Sequence, residues 1–200
     1  MSPDEVERHQ RERMLGAIAR GMAEGGYAAL TVGAIIAEAR VSRTTFYAQF
    51  ANKQEAVLGA FEESLGSFLA RVEGACAAEE EWPAKLKRGI EATVGFAAEQ
   101  PAMALLLAAQ CDVADRTIGE QMLAGRRRLL ELLRPGRRHP GASTLPEITE
   151  EALVGAVSAV LSRALSAGDL DDPEALRPQL TEFALSFYLG PAAAAKTTTA

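Results

Sequence analysis

Apolar positions recur at helical spacing along most of the chain. Met14, Leu15, Ile18, Ala19 and Met22 form one stripe with Arg and Glu between them, and the pattern stops at Gly25-Gly26, a glycine terminator. Thr31 is placed to cap a second, short helix carrying Val32, Ile35, Ile36 and Ala39, because its hydroxyl accepts a free N-terminal amide. A turn follows near Arg40-Val41. Ser42 then caps a third, very short helix running through Thr45, Phe46 and Tyr47 toward Phe50. Asn52-Lys53-Gln54-Glu55 has the form of a capping box, with Asn52 as cap and Glu55 reaching back. It opens a long helix with Val57, Leu58, Phe61, Leu65, Phe68, Leu69 and Val72 on one face.

The run from Cys76 to Trp82 breaks this pattern. Beyond Pro83, which suits a first helical turn, the spacing predicts helices over 84–99, 102–110 and about 115–134, with Pro101 separating the first two. Residues 135–147 hold three prolines and two glycines, the strongest loop signal in the chain. Helix resumes over 149–167 and again after Pro173. No segment alternates over strand length, so the expectation is an all-α protein of about nine helices. Its expected domains are 1–73, ending in the long fourth helix, and 74–190. The tail, 191–200, is small and polar enough to be expected to fray.

The 48% hydrophobic content is enough to bury a real core in 200 residues. Cys76 and Cys111 stand far apart with no C-x-x-C pairing, so neither a disulfide framework nor a zinc site is expected, and no cofactor motif is present. No apolar run has the length of about 20 residues that a membrane span needs, and the charged start (Asp4, Glu5, Glu7, Arg8) is unlike a secretory signal; a cytoplasmic protein is expected. The net charge of -6 argues against a nucleic-acid partner until its distribution is considered. Residues 1–55 balance seven Lys/Arg against seven Asp/Glu, leaving 14 against 20 for the remainder. The acid excess therefore lies outside the first segment.

Two short helices joined by a tight turn and followed by a longer one have the layout of a helix-turn-helix, whose second helix enters the DNA major groove. The wording of residues 31–57, with the capped second helix, the Val41-Ser42 turn, the Phe46-Tyr47 pair, the aromatic Phe50 three residues later and the Asn52-Lys53-x-Glu55 helix start, closely resembles the DNA-binding signature of the tetracycline-repressor (TetR) family. The resemblance is strong over about residues 10–60 and architectural beyond. It implies that Thr31, Tyr47 and Lys53 contact phosphates, and that Arg43, Thr44, Thr45 and Gln49 face the groove or its rim. General chemistry supports these roles. Arg43 offers two bonds to guanine, Thr44 or Thr45 meets a thymine methyl or a base edge, and Lys53 stands at a helix N-terminus that already favours a phosphate. Phe46 and Phe50 are assigned to packing. Three positions depart from the family pattern: Arg40 where glycine is usual, Ile36 where a small alanine is typical, and Thr44 where glycine is common. At φ > 0, Arg40 costs on the order of 1 kcal/mol, which a phosphate contact would offset; Arg40 and Ser42 therefore join the DNA-contacting set.

The resemblance further implies a C-terminal ligand pocket and a four-helix homodimer interface. Leu153, Ala156, Val157, Val160 and Leu161 on one helix, and Leu176, Leu180, Phe183 and Phe187 on the next, are the candidates for the interface. A two-fold dimer sets its recognition helices about one DNA turn apart and predicts a near-palindromic double-stranded operator. Phe96, Met103, Leu107, Cys111, Met122 and Leu123 are the positional candidates for a pocket suited to an apolar or aromatic effector, although such residues are more often core. Ligand binding would shift the dimer toward a spacing that no longer fits successive grooves and so release a repressor. The arginines 126–128, 134, 137 and 138 are expected to form a solvated face. Two rival readings remain. An enzyme is disfavoured because no catalytic motif is present and His9 and His139 lie in an N-terminal arm and a loop. An interaction module without DNA binding is disfavoured because Arg43, Thr44, Thr45 and Lys53 are all retained.

Overall fold

The first helix begins well before its apolar stripe. Ser2 Oγ accepts from the Glu5 amide (3.2 Å) and the Glu5 carboxylate accepts from the Ser2 amide (2.6 Å), a closed capping box that starts α1 (Pro3–Ala29). The pair Gly25-Gly26 does not end this helix but kinks it: Gly26 has φ 70° and ψ -178°, a conformation open to glycine. The protein is represented by a computed structural model that describes residues 2–108, 116–168, 170 and 172–199. Beyond α1 the order is α2 (Val32–Ala39), α3 (Arg43–Gln49), α4 (Lys53–Ala77), α5 (Trp82–Glu99), α6 (Pro101–Ala108), α7 (Arg116–Leu133), a 3₁₀ helix (Arg134–Arg138), α8 (Thr149–Ala167), α9 (Pro173–Leu189) and α10 (Pro191–Thr199). No strand occurs among the described residues, so the fold is all-α as expected.

Two local expectations change. The box at the start of α4 closes one residue early: Asn52 Oδ1 accepts from the Glu55 amide (2.9 Å), while the Glu55 carboxylate takes the Ala51 amide (2.7 Å). The tail expected to fray is a tenth helix. Ala194 is fully buried and α10 packs along α9, because a stretch of alanines permits close approach where larger side chains would not.

Residues Met1–Gly66 with Ala102–Gln121 form one compact unit, and Ser67–Pro101 with Met122–Ala200 form a second. In the first unit, α1 packs on α2 and α3. Its buried side chains include Met14, Leu15, Ile18 and Met22 of α1, Ile35 and Ala39 of α2, Phe46, Phe50, and Val57 and Phe61 of α4. These are the stripes read from the sequence, and at roughly 1.5–3 kcal/mol per large apolar side chain they hold the two short helices α2 and α3 in place against α1.

In the second unit, α9 packs on α5, and Trp82 and Tyr188 meet edge-on with ring centroids 4.7 Å apart. They close over Gly136, where an added Cβ would lie 2.4 Å from Trp82 Cζ2 and 2.7 Å from Tyr188 Cδ1. Only glycine fits there. His139 lies against the Trp82 ring (5.6 Å). Arg137, expected in a solvated face, is instead a tie. Its guanidinium grips both oxygens of buried Glu150 (2.6 Å each) and donates to the carbonyls of Leu145 (2.8 Å) and Pro146 (2.7 Å), so the Pro/Gly segment is folded rather than loose. The Arg137 hydrogen bonds hold the Glu150 carboxyl below the ordinary carboxylate range against the opposing effect of burial. Burial, then the Glu150 charge, raises the Tyr188 hydroxyl, which donates to Glu150 Oε1 (3.4 Å). Arg128 likewise pairs with Glu73, whereas Arg126, Arg127, Arg134 and Arg138 are exposed.

Candidate nucleic-acid interface

The turn that aims α3 is built by three backbone devices. Thr31 Oγ1 accepts from the Ala34 amide (3.1 Å) and starts α2. At its other end Arg40 adopts φ 52° and ψ 48°, the left-handed conformation, and it is the only non-glycine residue with positive φ among the described residues. The Val41 amide reaches back to the Ile36 carbonyl (3.2 Å), the six-to-one bond of a Schellman close. Ser42 Oγ then accepts from the Thr45 amide (2.9 Å) and starts α3. Two short helices are thus capped on either side of a one-residue left-handed turn.

The structure divides the candidate contact residues. Arg43, Thr44 and Tyr47 are exposed and, with Ala48, line an open depression of 440 Å³. Tyr47 stands with its ring edge-on to buried Phe46 (5.3 Å), which fixes the ring and leaves the side chain 48% exposed. Thr31, Arg40 and Ser42 are exposed beside them. Thr45 is half-buried, its hydroxyl 2.8 Å from Ser42 Oγ, so it serves the cap. Gln49 is held by α1: Arg11 donates to its Oε1 (3.3 Å), and its amide donates to the Glu7 carbonyl and carboxylate (3.5 and 3.4 Å). Lys53 is also engaged. Its Nζ donates to the carbonyls of Tyr27 and Leu30 (2.9 Å each) and sits 4.0 Å above the Tyr27 ring, closing the C-terminal end of α1. The sequence reading missed Glu7, Arg11 and Tyr27, although Ser2-x-x-Glu5 already signalled an earlier start to α1. Nearby acid is neutralised, since Glu38 pairs with Arg20 (3.0 Å).

The other candidates are placed as follows. Phe96 is buried against Phe68 (5.3 Å) in the second unit; Met103 and Leu107 are half-buried in the first; Met122 is half-buried and Leu123 is 57% exposed; Cys111 lies outside the described residues. Leu153, Val157, Leu161 and Leu180 are buried within their own chain, with Ala156, Val160 and Leu176 partly so. Phe183 and Phe187 remain 41% and 40% exposed and stack edge-on at 5.2 Å.

A capped pair of short helices presenting Arg43, Thr44 and Tyr47 on an open face has the layout of a helix-turn-helix, the arrangement that places a second helix in a DNA groove. Residues 15–58 match the family described as bacterial regulatory proteins, tetR family. The fold of the chain is also similar to solved structures. The fatty acid degradation regulator FadR from Bacillus halodurans is 20% identical over 87% of this chain and 97% of that one, with a TM-score of 0.74. The transcriptional regulator FadR from Bacillus subtilis, in complex with stearoyl-CoA, is 21% identical over 88% and 98%, with a TM-score of 0.73. A TetR-like transcriptional regulator from Rhodococcus sp. RHA1 is 21% identical over 88% and 94%, with a TM-score of 0.75. No curated protein matches the sequence. Residues 15–58 thus carry the similarity to the tetR family of bacterial regulatory proteins, and the solved structures share the fold over most of the chain.

Proposed function

We propose that this protein is an effector-responsive repressor that binds a near-palindromic operator as a homodimer. The observation that carries the reading is the open face of α3, where Arg43, Thr44 and Tyr47 are exposed and free of the internal ties that engage Thr45, Gln49 and Lys53. Arg43 reads guanine, Thr44 a neighbouring base, and Tyr47, Thr31 and Arg40 hold the backbone. Pairing of two copies is supported by the exposed Phe183 and Phe187 on α9 and by the small residues Gly155, Ala156 and Ala159 of α8, which would allow close approach of a second copy. An apolar effector is supported by the stearoyl-CoA bound to the Bacillus subtilis neighbour and by the aromatic pair Phe68–Phe96 here. Effector binding favours the dimer whose recognition helices miss successive grooves, and the operator is released. No helix among the described residues is long and apolar enough to cross a membrane.

The test is selection of binding sites from a randomised duplex pool, followed by gel shifts at two salt concentrations. The expected outcome is a palindromic consensus that Arg43→Ala relaxes at one position. Recovery of unrelated sequences, with equal affinity for all of them, would refute sequence-specific repression.

A further inference from the structure

The side chains of α3 sort by their angle around the helix. Phe46 is completely buried, and two residues turn an α-helix by about 200°, so Thr44 and Ala48 lie on the side of α3 turned away from the core. Both are exposed. Four residues apart, they are neighbours on one face, with Cβ atoms about 5–6 Å from each other. Arg43 and Tyr47 form the adjacent row, in which Tyr47 is braced edge-on by Phe46 (5.3 Å). These four residues line the open depression of 440 Å³. Arg43 and Tyr47 supply the bulk of its lining, and Ala48 keeps it open because its side chain ends at one methyl. The Thr44 hydroxyl, unlike that of Thr45, is not committed to the Ser42 cap.

A methyl beside a hydroxyl, on a face that is otherwise polar, has a specific complement in the major groove. Thymine presents there a C5 methyl next to its O4 acceptor, and a cytosine methylated at C5 presents the same methyl next to its N4 amine. Uracil and unmodified cytosine lack the methyl. A hydroxyl both donates and accepts, so Thr44 suits either exocyclic group and does not by itself separate the two bases. We infer that Ala48 is a further specificity-determining residue: it packs on the C5 methyl of one pyrimidine in each half-site while Thr44 bonds the exocyclic group of that base, so the pair selects a 5-methylpyrimidine over a pyrimidine without the methyl. Methylation of a cytosine at that position then strengthens binding rather than blocking it. The inference rests on the operator-binding reading above and deepens it by naming the base feature that α3 reads beside the Arg43 contact.

The experiment is fluorescence-anisotropy titration of the full-length protein with duplexes that carry the selected consensus. In one half-site at a time each thymine is replaced by deoxyuridine, and the position so found is then filled with cytosine or 5-methylcytosine. Each exchange removes or adds one methyl and leaves base pairing intact. At one thymine per half-site the wild type is expected to bind deoxyuridine about fourfold more weakly, and there to bind methylated cytosine about fourfold more tightly than unmodified cytosine, the effect of burying one methyl. In Ala48→Gly, with helical content checked by circular dichroism, both ratios are expected to fall to about one. Where glycine unfolds so short a helix, Ala48→Val gives the second measurement: its added bulk fits only where the base methyl is missing, so the preference for thymine is lost or reversed. A role for Ala48 only as a helix former would lower affinity for all of these duplexes alike and leave the ratios unchanged. The inference is overturned if no thymine of the consensus is methyl-sensitive in the wild type, or if a folded Ala48→Gly or Ala48→Val keeps the wild-type ratios. Failure to select any consensus overturns the operator reading and this inference with it, whereas a consensus indifferent to the methyls overturns this inference alone.

Discussion

Arg40 is the residue where the backbone and the side chain make opposite demands. At φ 52° and ψ 48° it holds a conformation that costs a non-glycine residue about 1–2 kcal/mol, whereas glycine adopts it freely. Glycine in turn gives the unfolded chain about 0.5–1 kcal/mol of extra freedom. Arg40→Gly and Arg40→Ala both delete the guanidinium, so comparing them removes the side chain's own contribution. The glycine variant is expected to be the more stable by about 0.5–1 kcal/mol, or about 1–4 °C in a domain of this size. Urea unfolding followed by circular dichroism, with the slope checked for constancy, measures this directly. Equal stability of the two variants at equal slope would show that the left-handed turn carries no strain. The DNA measurement runs separately. If Arg40 meets a phosphate, both variants lose affinity alike on every sequence, and the salt slope falls by about one contact.

Lys53→Met removes the donor to the Tyr27 and Leu30 carbonyls and is expected to destabilise the first unit by about 1.5–3 kcal/mol in urea unfolding. Unchanged stability with weakened DNA binding would return Lys53 to a phosphate-binding role. Glu150 has its folded carboxyl held low by Arg137, so its contribution is present above the unfolded value of about 4.3 and is lost as pH falls through the lower folded value. Glu150→Gln should therefore lose less stability than the wild type between pH 5 and pH 2 in thermal scans, and an equal loss in both would count against the tie. Phe187→Asp, alone or with Phe183→Asp, is expected to yield monomers in sedimentation velocity with helical content intact; persistence of a dimer would move the interface elsewhere on the chain.

The backbone devices of the first unit were open to reading from the sequence because each is local. Thr31, Ser42 and Asn52 are caps within three residues of the amides they bind, and Phe46 and Phe50 sit on a stripe that only a core uses. The destinations of long polar side chains were not readable. Gln49 and Lys53 have the right residue types at the right positions for DNA, yet their partners lie 42 and 26 residues away on α1. Sequence spacing carries no information at that range. The same limit explains Arg137, one of several arginines in a basic run and the one that finds a buried carboxylate. Leu153, Val157, Leu161 and Leu180 show the complementary ambiguity: an apolar stripe cannot say whether it faces its own chain or another, and only Phe183 and Phe187 stay exposed.

The engagement of Gln49 and Lys53 narrows where operator discrimination must reside. Both hold α1 against the elements that follow it, so α1 acts as the frame that fixes the pose of α3. With Thr45 committed to the Ser42 cap, the polar side chains left on the open face are Arg43, Thr44 and Tyr47, of which only the first two have hydrogen-bonding groups suited to base edges. On the proposed reading, sequence preference in each half-site is then concentrated in a few adjacent base pairs, at about 1–3 kcal/mol for the bidentate arginine contact. Contacts of Arg40, Tyr47 and Thr31 with phosphates, as proposed, would raise affinity for all sequences alike and add no discrimination of their own. On the same reading, so few readers per copy would gain selectivity chiefly by requiring two half-sites at once, which would tie operator recognition to the integrity of the Phe183 and Phe187 face.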